Sequence, residues 1–112
     1  MDCLIIKEKY LQKILSGKKT WEIRGSKTHK RGRIGLIQSG SGKIIGECEL
    51  IDCIKLDLDT YLKNQDKHCS ENTTLTYKQT YAWVLKSPIR YTSPKPYTHP
   101  QGAIIWVKTK YS

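Results

Sequence analysis

Between Gly17 and Gly25 the sequence GKKTWEIRG sets three cations, Lys18, Lys19 and Arg24, beside one carboxylate, Glu22, and a tryptophan. These residue types can do two kinds of chemistry. In recognition, Glu22 fixes Arg24 or accepts hydrogen bonds from the exocyclic amine of a base, while the cations hold phosphate. In catalysis, Glu22 draws a proton from water as a general base. Lys19 then serves as the acid or steadies a developing oxyanion, provided that burial lowers its pKa. An exposed Glu22 to Lys19 or Arg24 ion pair would instead contribute little. Charges at a chain corner flanked by apolar residues favour the functional alternatives, because charges are seldom buried without a partner or a purpose.

The flanking sequence has to place that group. CLII, from Cys3 to Ile6, has the composition of a short buried strand, and KEKYLQKILSG follows with helical spacing that puts Leu11, Ile14 and Leu15 on one face. Gly17 stands where a left-handed helix cap belongs, with Lys13 in the last turn. TWEIR then reads as a strand with Thr20, Glu22 and Arg24 on one face and Trp21 and Ile23 on the other, towards the core. GSKTHKRGR is a basic loop. IGLIQ, the turn SGSG and KIIGECELIDC form a hairpin whose long second strand needs a bend near Gly46. A short helix is expected around Asp59 to Asn64, with strands within TYAWVLKSPIR and GAIIWVK and an extended, proline-stiffened connector at SPKPYTHP. Trp21, Trp83 and Trp106 are expected in the core. Short strands with few helices and no βαβ rhythm define an α+β, mainly β chain, built on an antiparallel sheet or small barrel. Residues 1–112 are expected to form one domain.

Composition narrows the partner. The chain of 112 residues carries 20 Lys and Arg against 10 Asp and Glu, a formal net charge of +10. Ten of these cations and only three acids lie before Ile34. Such asymmetry suits a polyanion, because each Lys or Arg on a phosphate releases condensed counterions. No apolar run reaches the roughly 18 to 20 residues of a bilayer span, so no membrane partner is expected. Cys3, Cys48, Cys53 and Cys69 match neither a disulfide framework nor a CxxC pair, and are expected as reduced thiols in a cytoplasmic protein. With His29, His68 and His99 scattered, no metal or cofactor is expected.

Four blocks in order, ILSGKKTWEIR, HKRGRIGLIQSG, IIGECELIDC and YAWVLKSPIRY with the later QGAIIWV, resemble the ASCH family, named after the activating signal cointegrator and related in fold to PUA RNA-binding domains. The family's leading motif, glycine-x-lysine-x-x-glutamate-x-arginine, falls on Gly17, Lys19, Glu22 and Arg24. The resemblance implies a PUA-like β-barrel of about six strands with flanking helices, and a cleft lined by that motif. It also implies RNA or other nucleic-acid binding, or, as in some bacterial members, removal of the acetyl group from N4-acetylcytidine or RNA cleavage. In the acetylcytidine-hydrolysing members a motif lysine acts with a threonine and a more distant glutamate. The lysine corresponds to Lys19 and the glutamate to Glu71, but Glu22 occupies the position of the threonine nucleophile. The expected function is therefore RNA binding through Lys19, Glu22 and Arg24, with a basic rim of Lys27, Lys30, Arg31 and Arg33. An amidohydrolase using Lys19, Glu22 and Glu71 on a modified nucleoside, or a ribonuclease, is the alternative.

Overall fold

A computed structural model describes residues 1–111. Its elements run β1 (Asp2–Ile6), α1 (Glu8–Leu15), β2 (Trp21–Arg24), β3 (Gly32–Gln38), β4 (Lys43–Leu56), α2 (Leu58–Lys63), α3 (Gln65–His68), β5 (Thr80–Pro96) and β6 (Trp106–Lys108). The six strands form one sheet in the order β2-β5-β4-β3-β1-β6. Neighbours are antiparallel except β1 and β3, which run parallel because α1 and β2 make the crossover between them. The fold is mainly β with three short helices, as expected of a small-barrel-like domain, but the sheet is not closed into a barrel. Its curl brings the β2 edge back towards β1, where a side chain rather than a backbone ladder spans the gap: Arg24 Nη2 donates to the Ile5 carbonyl at 2.9 Å.

The core follows the periodicities of the sequence. Leu11 and Ile14 of α1 pack on Leu4 and Ile6 of β1, Ile34 and Leu36 of β3, Leu50 of β4 and Trp83 of β5. On β2 Trp21 is buried among Leu56, Tyr61 and Ala82, as expected, whereas Ile23 packs against that cluster only in part and also lines the cleft of Glu22 and Arg24, and Thr20 precedes the strand and stays out of that cleft. Trp83 is buried, whereas Trp106 is only half-buried and stacks on Trp83 at a centroid distance of 5.7 Å.

The long hairpin bends where glycine permits it. Pairing between β4 and β5 jumps from Ile44 to Gly46, and a Cβ on Gly46 would lie 2.3 Å from the Ile89 carbonyl oxygen. No side chain fits such an approach.

The SPKPYTHP segment departs from expectation: β5 continues through Pro96, with Lys95 and Pro96 paired to Ile44 and Lys43. Strand β2 ends its pairing with β5 at Tyr81 to Val84, so this outer stretch of β5 is an edge on which proline loses no ladder bond. The last strand is shorter than GAIIWVK, spanning only Trp106–Lys108. Among the described residues no helix is long and apolar enough to cross a membrane.

Candidate functional site

Three elements converge on the opening motif. Helix α1 ends at Leu15 with Ser16 as its cap, and Gly17 takes φ 84°, the left-handed turn that a side chain would strain. The Lys19 N–H then returns to the Lys13 carbonyl at 3.0 Å, which fixes where the chain enters β2. Lys19 points inward and is only 3 % exposed. Its ammonium donates to the His68 carbonyl, lies 3.6 Å from Glu22 Oε1 and sits 5.1 Å from the Tyr10 ring centroid.

Glu22, 6 % exposed, divides its two oxygens between two cations. Oε2 accepts from Arg24 Nε at 3.0 Å and Nη2 at 2.8 Å, leaving Oε1 towards Lys19. Burial pushes the Lys19 pKa down, and the neighbouring Glu22 carboxylate opposes that shift. Arg24 continues outward into an aromatic column. Its guanidinium lies 5.6 Å from the Trp83 ring, Trp83 stacks on Trp106, and the Lys30 ammonium lies 5.1 Å from the Trp106 ring.

Lys19, Glu22 and Arg24 line a cleft of about 400 Å³. Lys7 and Tyr10 from the start of α1, Tyr61 of α2, and Ser70, Tyr77 and Ile104 from later loops complete much of its wall. His68 braces that wall from behind. The Ser70 N–H donates to His68 Nδ1 at 3.0 Å, so the ring proton is on Nε2, which donates to the Tyr61 carbonyl at 2.8 Å. The imidazole stacks on Tyr61 at 4.1 Å, and its own backbone carbonyl holds Lys19. Tyr61 Oη in turn donates to the Asn72 carbonyl at 3.1 Å. The imidazole is thus neutral and structural, and burial lowers its pKa.

The other anticipated residues lie elsewhere. Glu71 is exposed and does not line the cleft, although its neighbours Ser70 and Asn72 do. Lys27 is exposed and lies outside the cleft. Lys30 pairs with Asp2 at 3.0 Å, Arg31 lies 4.0 Å from Asp52, and Arg33 lies 3.3 Å from Glu47 while donating to the Ser87 carbonyl. None of the four basic-loop residues lines the cleft. The four cysteines are free, with burial pushing the Cys48 thiol up to about 12. The cleft residues not anticipated were mostly tyrosines, hydroxyls and Ile104. Only Tyr10 carried a usable signal, since it lies one turn before Ile14 on the flank of the buried helix face.

The ASCH domain model matches residues 4–95, and the chain belongs to the ASCH domain family. Among solved structures, the ASCH protein from Zymomonas mobilis is similar in fold, with a TM-score of 0.67 at 21 % identity, over 85 % of this chain and 72 % of that one. A serine-to-alanine variant of the Zymomonas mobilis protein gives a TM-score of 0.73 at 18 % identity, over 96 % of this chain and 87 % of the other. A search of curated proteins found no match.

Proposed function

We propose that the chain is a nucleic-acid-binding module that takes RNA into the cleft of Lys19, Glu22 and Arg24. One observation carries this reading: the cleft sets three cations, Lys7, Lys19 and Arg24, against the single carboxylate of Glu22. An anionic ligand meets a net positive wall there, on a chain whose formal charge is already +10. The surface of α1 and the turn after it extend that field, because Lys9, Lys13 and Lys18 have no carboxylate within 4.0 Å among the described residues. Phosphates leaving the cleft over α1 would find unneutralised cations. Lys30, Arg31 and Arg33, each beside an acid of its own chain, act as a weaker outer field.

Fluorescence anisotropy with a labelled 12-nucleotide single-stranded RNA tests the proposal. Binding with a Kd of roughly 1 to 100 μM, weakening as salt rises, is expected for a contact dominated by phosphate. Arg24→Gln should weaken it about tenfold, as loss of a charge-assisted bond of roughly 1.5 kcal/mol does. Absence of any binding at 50 mM salt would sink the reading.

A second reading, hydrolysis of the N4-acetyl group of acetylcytidine, draws on one feature: the depressed Lys19 pKa beside Glu22. Glu22 would activate water and Lys19 would supply the proton. Ribonuclease action in the same cleft would use the same pair. Incubation with N4-acetylcytidine decides between binder and hydrolase: turnover that disappears in both Glu22→Gln and Lys19→Met would establish the enzyme.

A further inference from the structure

Two apolar side chains stand at the mouth of this charged cleft. Tyr77 is 43 % exposed and Ile104 is 79 % exposed, and both belong to the cleft lining together with Tyr10 and Tyr61. Scattered exposed hydrophobics are ordinary on a protein surface, but two that share one concavity with buried cations form an apolar mouth over a polar floor.

Tyr77 is seated there by a specific contact. A Cβ on Gly25 would lie 2.7 Å from Tyr77 Cδ1 and 2.9 Å from Cγ. Gly25 has no positive φ that would call for glycine, and a side chain there would displace the ring. The segment carrying Tyr77 is also held at its start, through the bonds from Tyr61 to Asn72 and from Ser70 to His68. At Tyr77 itself the carbonyl accepts from Thr80 Oγ1 at 3.3 Å, and the ring, packed at Gly25, keeps much of its surface exposed.

The occupant follows from size and charge. About 400 Å³ lies within the range of sites that enclose a single small molecule. One nucleotide fits that scale and a base-paired helix does not. The cationic floor selects an anion, and an aromatic with an aliphatic partner selects a flat apolar face. Resting on the RNA-binding reading above, we propose that Tyr77 and Ile104 form a stacking mouth for one unpaired nucleobase. The module accordingly selects single-stranded RNA over duplex.

The test compares a labelled 12-nucleotide single-stranded RNA with the same strand annealed to its complement. For the unmodified chain, single-strand affinity at least tenfold above duplex affinity is expected. Tyr77→Ala should lower the single-strand affinity by about 5- to 150-fold, the range for loss of one base–aromatic stack, while Tyr77→Phe stays within about threefold. Ile104→Ser, at a position too exposed to threaten folding, should also weaken single-strand binding and leave duplex binding unchanged. Equal single-strand and duplex affinities, or single-strand affinity unaltered in both Tyr77→Ala and Ile104→Ser, would overturn the stacking mouth. If Arg24→Gln still weakened binding in that case, RNA binding would stand without it. An unmodified chain that bound neither RNA would overturn both.

Discussion

At Glu22 a single buried carboxylate serves two cations, and its substitution tests how far recognition and stability share the same atoms. Glu22→Gln leaves Lys19 and Arg24 facing each other across a neutral amide in a site with little water. Breaking a buried pair by removing one partner typically costs about 3 to 5 kcal/mol, and the partial exposure of Arg24 places this case near the lower end. Thermal unfolding should therefore fall by more than about 10 °C. Lys19→Met should be milder, because it removes the ion that burial already disfavours and leaves Glu22 its two bonds from Arg24. Melting temperatures that reversed this order would mean that Glu22 is better hydrated than its surroundings indicate. The strand alternation of TWEIR was enough to put Glu22 and Arg24 on one face, but not to show that Glu22 is enclosed. Nor did it show that Lys19 beside it is held by the His68 carbonyl and sits over the Tyr10 ring, both brought in from other elements.

The short helix α3 and the turn after it owe their position to one imidazole. His68 accepts from Ser70, donates to Tyr61 and, through its carbonyl, holds Lys19. Protonation of Nδ1 would set a second N–H against that of Ser70, and Lys19 would repel the new charge while Asp66 partly offsets it. The sign of the pH effect is fixed by the lowered folded-state pKa. Below the unfolded value of about 6.5 the unfolded chain binds the proton more readily, so stability holds above pH 6.5 and is lost as pH falls through the lower folded value. Denaturant midpoints measured between pH 7.5 and 5 should decline, and His68→Gln should remove much of that slope; an unchanged slope in the variant would assign it to other groups. Sequence spacing made α1, the β3–β4 hairpin and α2 legible because their periodicity is local. It did not disclose α3 or the role of His68, whose bonds join residues without a repeating pattern. Pro94 and Pro96 concealed the outer part of β5 for a different reason: proline signals a break in a central strand, and only the pairing register, in which β2 covers no more of β5 than Tyr81 to Val84, shows this stretch to be an edge.

Across the whole molecule the positive charge divides into two populations. Lys30, Arg31 and Arg33 lie beside Asp2, Asp52 and Glu47, whereas Lys9, Lys13 and Lys18 on and after α1 have no such acids among the described residues. Composition alone put ten cations in the first third of the chain and could not separate the two sets. The distinction is measurable through counterion release. Changing Lys9 and Lys13 to Gln should reduce the log-log salt slope of single-stranded RNA binding by about 1 to 1.5, since each phosphate contact contributes about 0.7. The same change at Arg31 and Arg33 should alter it less, and the reverse ranking would place the RNA path over the basic loop. The column that runs from Arg24 through Trp83 and Trp106 to Lys30 links the cleft to the first of these sets. Indole emission responds to nearby charge, and Trp83 is held rigidly by its Nε1–H bond to the Ser26 carbonyl at 2.9 Å. An anion that draws the guanidinium away from the ring changes the field on that chromophore. The protein thus carries an internal optical probe of its own cleft, readable in ultraviolet light without a dye.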